Sequence, residues 1–352
     1  MLPLDTPPKN ICIVRLSALG DVTHAVPVLR AIQKNWPLTR VTWICATLVH
    51  PLLSVLDGVR FIVIDKKAGW RGYRQLRRQL AGERFDIMLQ MQTSARANFT
   101  GACVKADIKL GWDKNRARDF HRFFMTHSIP ETKYEHQVQG HLSFARTIGL
   151  DVPEPEWNFP VSEEAAGFIN AIIPAGERVL LVSPCSSLQS RNWSIDRYTA
   201  VANYAVKQHG MTVVLSGGGS ELERSIGETI ESSMDKQVIN LIGKVTLPQL
   251  IALLKRADVV LTPDSGPMHL ANAVGTAVIG LHASTWPLRS GPYNSQDLCV
   301  DKFAEAAQQF RGKSPQELRW GTRIRDEGVM NLIEIDEVID RLNLAIKRLV
   351  TR

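Results

Sequence analysis

The apolar positions of this chain fall in short, nearly continuous runs, separated by longer segments whose apolar residues recur at helical spacing. Runs at 11–16, 40–46, 61–65, 85–90 and 107–111 read as strands. Segments at 22–35, 72–82, 95–104 and about 134–149 read as helices. The pattern then repeats, with strands at 178–183, 211–216, 237–242, 258–262 and 277–281 and helices at 194–208, 220–233, 246–256 and 267–274. Near-continuous apolar strands alternating with amphipathic helices predict parallel sheets covered on both faces. The Pro- and acid-rich segment Asp151-Val152-Pro153-Glu154-Pro155-Glu156 opens a linker. The expected architecture is α/β: two Rossmann-like domains, 1–160 and 161–332, facing a central cleft. A last helix within 333–352 is expected to cross back to the first domain.

Composition narrows the class. A chain of 352 residues exceeds one ordinary core, and 44% hydrophobic with 22% charged residues is the balance of a globular protein. No apolar run approaches the ~20 residues needed to cross a bilayer. Met1–Pro8 lacks the basic and apolar regions of a signal peptide. Cysteines 12, 45, 103, 185 and 299 form neither a CxxC pair nor a zinc spacing, which points to reduced thiols and a cytoplasmic setting.

Charge separates the halves. Residues 1–160 carry 22 Lys and Arg against 14 Asp and Glu, whereas residues 161–352 carry 20 against 21. The surplus gathers at Lys66, Lys67, Arg71, Arg74, Arg77, Arg78 and Arg84, and again at Lys109, Lys114, Arg116, Arg118 and Arg122. A basic first half implies an acidic partner: phosphorylated lipid, membrane surface or nucleic acid. A solvated helix face explains Arg74, Arg77 and Arg78 equally well.

Two turns carry the candidate chemistry. Ser17-Ala18-Leu19-Gly20-Asp21-Val22 follows the first strand and opens a helix. Asp264-Ser265-Gly266-Pro267-Met268-His269 follows the strand at 258–262 and opens another, with Pro267 suited to the first helical turn. Ligands in open α/β sheets bind beyond the carboxyl ends of the strands, and free N–H groups at a helix start favour anions. The structural alternative for Asp21 is a helix cap. No G-x-G-x-x-G follows the first strand and no P-loop occurs, so dehydrogenase and P-loop chemistry are disfavoured.

These two turns resemble those of the lipopolysaccharide heptosyltransferases, glycosyltransferase family 9. Gln92-Thr93-Ser94-Ala95-Arg96-Ala97 resembles the family's Gln-Gly-x-x-Lys/Arg-Ser segment, with Thr93 in place of glycine. Ser183 to Trp193, with Arg191 two residues before Trp193, resembles the donor phosphate loop. Leu215 to Glu221 resembles the loop whose acid faces the donor. Gly111-Trp112-Asp113 through Arg118-Asp119-Phe120, with Arg319-Trp320-Gly321-Thr322-Arg323, looks like the subgroup adding the first heptose to phosphorylated Kdo.

The resemblance implies a GT-B fold, with an acceptor-binding first domain and a nucleotide-sugar-binding second domain. It implies inverting transfer of L-glycero-D-manno-heptose from ADP-heptose to the Kdo–lipid A inner core, at the cytoplasmic face of the inner membrane. No metal or other cofactor is expected, and no nucleic acid. Asp21 would be the base. Ser186, Ser187, Arg191, Glu221, Asp264, Ser265, Gly266 and His269 would hold the donor. Lys66, Lys67, Arg71, Arg96, Arg116 and Arg118 would hold the acceptor. Structural alternatives stand beside several of these: a surface pair of Arg191 with Asp196, helix capping by Glu221, and a core role for His269. The rival functions are a transferase using another nucleotide sugar or a later core acceptor, and a non-catalytic binder of acidic glycolipid.

Overall fold

The computed structural model describes residues 2–350. The chain separates into two compact units, Met1–Pro160 and Val161–Arg352.

In the first unit, strands β1 (Asn10–Val14), β2 (Arg40–Ala46), β3 (Val59–Ile64), β4 (Phe85–Gln90), β5 (Ala106–Gly111) and β6 (His127–Ser128) form one parallel sheet in the order β3-β2-β1-β4-β5-β6. Ile13 of β1 lies between Trp43 of β2 and Leu89 of β4. All three are fully buried, as expected of a strand covered on both faces. The chain reverses its direction of growth between β1 and β4, which makes that gap the topological switch point.

The second unit repeats the plan with β7 (Val179–Val182), β8 (Thr212–Leu215), β9 (Ile239–Asn240), β10 (Val259–Pro263), β11 (Ala277–His282) and β12 (Val300–Asp301). Their order is β12-β11-β10-β7-β8-β9, so the switch lies between β7 and β10.

Several boundaries differ from the sequence reading. The helix expected at 22–35 is two segments, Leu19–Thr23 and Val26–Asn35, which places Asp21 inside the first. The helix expected at 72–82 begins at Gly69 and takes in Trp70. Helices Glu163–Ile172 and Phe303–Arg311 were not anticipated. Helix Ile335–Val350 buries Val338, Leu342, Ala345 and Ile346 in the core of the second unit, and Asn343 bonds Tyr204 and His209 there. Its apolar face thus packs inside its own unit.

Candidate functional site

Both sequence-selected acids stand beside a switch point, each facing a buried arginine. In the first unit, Arg15 follows β1 and is only 8% exposed. One of its guanidinium nitrogens lies 3.1 Å from Asp21 Oδ2, and another donates to the Met91 carbonyl beyond β4, at 2.6 Å. The Ala18 N–H also donates to Asp21 Oδ2, at 3.1 Å. Gln92 closes the same gap: its Oε1 accepts from the Leu16 and Ser17 N–H groups at 2.8 and 3.2 Å. The Asp21 side chain nevertheless keeps 40% of its surface in solvent. It is therefore an anchored carboxylate that still reaches solvent. The capping alternative holds as well, because Asp21 does bond the start of its own turn. Arg15 is a partner that sequence reading missed. The available signal was a lone cation at the end of an apolar strand run.

Lys66 adds a second cation. Its Nζ donates to the Ser17 hydroxyl. Burial, then Arg96 and Arg15, hold its amine below the usual lysine range. Lys66, Arg96 and Arg15 thus share one neighbourhood around the Asp21 turn. Behind it lie His24 and His141, with ring centroids 5.8 Å apart. His141 is pushed down to about 3, by burial first and Arg15 second.

In the second unit, Arg191 sits in a short 3₁₀ turn and is 8% exposed. It donates to the Asp264 carbonyl at 2.9 Å and lies 3.4 Å from the Asp264 carboxylate. Its acid is therefore Asp264, across the β7–β10 switch, and not Asp196. His269 Nε2 stands 3.6 Å from the other carboxylate oxygen. Burial works to raise the Asp264 carboxyl, but the bond from His269 and the charge of Arg191 outweigh it and hold the group well below the usual range. The Ser265 hydroxyl bonds Thr262 at 2.9 Å and does not cap the helix that starts at Gly266. His282 ends β11, and burial drives it down to about 4.

Other donor candidates divide. The Ser186 hydroxyl closes a local turn with Leu188, donating to its carbonyl at 3.0 Å, while Ser187 is exposed. Glu221 is exposed at the start of its helix, and Glu223 does the capping, accepting from the Gly218 N–H at 2.8 Å and from Ser220. Along the carboxyl edge, the buried hydroxyls of Ser216 after β8, Ser183 after β7 and Ser284 after β11 lack hydrogen-bond partners, as does His282 Nε2. Buried polar atoms left unpaired cost ~1–3 kcal/mol each, so such a row is suited to a polar ligand or ordered water.

The profile of "Glycosyltransferase family 9 (heptosyltransferase)" matches residues 73–319. The chain belongs to glycosyltransferase family 9, the heptosyltransferases. It is 39% identical to lipopolysaccharide core heptosyltransferase OpsX of Haemophilus influenzae, over 97% of this chain and 98% of that one. It is 20% identical to lipopolysaccharide heptosyltransferase 1 of Escherichia coli, over 82% of this chain and 92% of that one. Among solved structures it resembles a family 9 glycosyltransferase of Veillonella parvula, with TM-score 0.79, 20% identity and 97% of each chain covered. It also resembles the E. coli heptosyltransferase WaaC with ADP, with TM-score 0.71, 19% identity, and 83% of this chain and 92% of that one covered. The fold is GT-B.

In this heptosyltransferase the acceptor candidates also divide. Lys67, Arg71, Arg96 and Arg118 are exposed. Arg116 is engaged elsewhere: it pairs with Asp113 and with Glu135 at 2.8 Å, donates to the Pro130 carbonyl at 3.1 Å, and stacks 4.7 Å from the Trp112 ring centre. Its donors brace the loop around Trp112.

Removing Arg191 would leave Asp264 buried without its arginine, so Arg191→Ala is expected to destabilise by ~3–5 kcal/mol. Arg191→Lys keeps the charge but loses the two-pronged geometry. It is expected to hold Tm within a few degrees and to lower kcat about tenfold or more. Equal kcat in the Lys variant would show that Arg191 only braces Asp264.

Proposed function

We propose that this heptosyltransferase moves L-glycero-D-manno-heptose from ADP-heptose to a hydroxyl of Kdo in the lipid A inner core. Transfer proceeds with inversion, without a metal, at the inner face of the bacterial inner membrane. The observation that carries the reading is a half-exposed carboxylate, Asp21, held at a switch point of the basic unit beside Arg15 and Lys66.

Asp21 takes the proton of the acceptor hydroxyl as that oxygen bonds the anomeric carbon. The carbon–oxygen bond to the diphosphate breaks, and its electron pair leaves with ADP. Arg191, the hydroxyls of Ser186, Ser187 and Ser265, and the N–H groups of Gly266 and Met268 offset the charge of the departing diphosphate. Asp264 and His269 position Arg191 and the turn. Glu221 accepts from ribose hydroxyls. The acidic inner core is met by Lys66, Lys67, Arg71, Arg96 and Arg118, and binding of this kind weakens with salt.

The reading is tested by transfer from ADP-heptose to acceptors bearing plain Kdo, phosphorylated Kdo or an already heptosylated core. Transfer to a Kdo acceptor supports it, and the preferred acceptor fixes the position. Transfer only to the heptosylated core would move this enzyme to a later step. Charge reversal of the exposed pair, Lys67→Glu with Arg71→Glu, is expected to raise the acceptor KM about tenfold, or about 1.4 kcal/mol, and to spare ADP affinity. An unchanged KM would return both residues to ordinary surface.

A further inference from the structure

Three segments of the first unit hold aromatic rings in solvent. Trp70, on helix Gly69–Gln79, is 79% exposed, and Phe120 and Phe123, around the 3₁₀ turn His121–Phe124, are 77% and 84% exposed. Two groups of ring contacts meet at the turn His121–Phe124, where Phe123 and Phe124 are consecutive. Trp70 lies 5.8 Å from Tyr73 and 6.4 Å from Phe99, ring centre to ring centre. Phe99 in turn lies 6.0 Å from Phe124, and Phe120 lies 6.1 Å from Phe123. Phe99 is also exposed, at 47%, whereas Phe168, 37% exposed, belongs to the second unit. A contiguous exposed apolar patch marks an interaction surface, whereas scattered apolar residues do not.

The rings are held outward by a built scaffold. The Asp119 carboxylate accepts from the Ala95 N–H at 2.9 Å, and Asn98 donates to the Asp119 carbonyl at 2.8 Å. His121 Nδ1 lies 2.8 Å from Asn98 Oδ1, and its Nε2 accepts from the Trp112 N–H at 3.0 Å. Asp119 and Phe120 both adopt positive φ, 51° and 60°, a conformation that side chains other than glycine rarely take. The turn thus spends strain to keep Phe120 and Phe123 out of the core.

Charge decides what they face. Helix Gly69–Gln79 contains no acid, and Trp70, Arg74 and Arg77 fall on one stripe at helical spacing. Arg78 and Arg122 flank the patch and are exposed. The nearby acid, Asp119, is already bonded to the backbone. Exposed aromatic rings with arginines close by in sequence match the interface of an anionic bilayer, where aromatic rings sit at the boundary and cations are drawn to the negative surface.

We propose that Trp70, Phe120 and Phe123 insert into the surface of an anionic phospholipid bilayer, with Arg74, Arg77 and Arg78 on its headgroups. The proposal deepens the acceptor reading, since a lipid-linked sugar reaches Asp21 from such a surface, but the vesicle binding that decides it needs no sugar. The full chain is floated with vesicles of phosphatidylglycerol and phosphatidylethanolamine, and with vesicles of phosphatidylcholine alone. Binding is expected on the anionic vesicles and about tenfold weaker or absent on the neutral ones. Trp70→Ser/Phe120→Ser/Phe123→Ser is expected to lose at least about tenfold in vesicle affinity with Tm unchanged, because the rings are exposed. Arg74→Gln/Arg77→Gln/Arg78→Gln is expected to lose a similar factor and most of the salt dependence. Transfer to a water-soluble Kdo acceptor is expected to be unchanged in both. No vesicle binding by the parent chain overturns the proposal, as does a ring variant that binds like the parent. So does a ring variant that turns a dimer into a monomer without loss of vesicle binding. A chain that binds vesicles but transfers to no Kdo acceptor sinks the acceptor reading and leaves this one standing.

Discussion

Asp21→Asn is expected to lower heptose transfer by ~10²–10⁴-fold while ADP binding survives. The substitution keeps an oxygen able to accept from the Ala18 N–H and from Arg15, so the turn has no reason to move. What it removes is the charge and the basicity. An acceptor hydroxyl is a poor acid, and without a base its proton has nowhere to go as the oxygen attacks. Asp21→Ala would be the worse probe, because it also strips the Ala18 N–H and Arg15, which lies beside Trp43 and Met91, of an accepting oxygen. Loss of that oxygen would mix destabilisation with catalysis. The measurement is kcat for transfer, set beside ADP affinity by calorimetry and Tm for the Asn variant. Joint loss of transfer and ADP binding would assign Asp21 a structural role, and near-parent kcat would remove it from the chemistry.

The second large effect is on stability in acid. His121 and His282 are driven down to about 4 and His141 to about 3, in each case by burial first. In the unfolded chain a histidine titrates near 6.5, so between there and 4 the unfolded state binds more protons than the folded one. Stability therefore falls as pH drops through that window. At 1.36 kcal/mol for each tenfold change in proton affinity, fully buried His141 and His282 each contribute a loss on the order of 3 kcal/mol or more by pH 4. Asp264 acts in the same direction at lower pH: its folded carboxyl is held below 3.8, so the stabilisation present above that value is lost as pH falls further. Because His141 belongs to the first unit and His282 to the second, both units weaken, against a typical total of ~5–15 kcal/mol. Urea midpoints measured from pH 7.5 to about 4 should fall steadily below pH 6.5. His282→Gln should flatten part of that slope. A level profile across the window would contradict neutral burial of these rings.

The strands were legible because burial on both faces leaves them almost purely apolar, as in Ile11–Val14 and Val259–Leu261. Edge strands β6 and β12, two residues each, carry no such run and were missed. Asp21 and Asp264 were legible because a polar turn between an apolar strand and a helix stands out. Their partners were a different matter. Arg191 and Asp264 are 73 residues apart, and Arg15 reaches Met91 across 76. Pairings of that kind come from strand order, which periodicity does not reveal. Arg116 is a similar case: its contacts with Asp113, Glu135 and Trp112 are not legible from its place in a basic cluster. The exposed rings of Phe120 and Phe123 look like core residues in the sequence, and the positive φ at Phe120 that turns them outward is not legible there.

The two arginine–aspartate pairs also differ in when they form. Arg15 and Asp21 are six residues apart and meet as soon as one turn closes. Arg191 meets Asp264 only after β8, β9 and the helices between them have been laid down and β10 has docked against β7. Long-range pairings are slow because loop closure must precede the contact that rewards it. During synthesis, Arg191 therefore emerges well before its acid, and the second unit passes through an interval in which this cation has not yet met its carboxylate. Proteolytic sensitivity around Arg191 should concentrate in that interval, which has no counterpart in the meeting of Arg15 with Asp21.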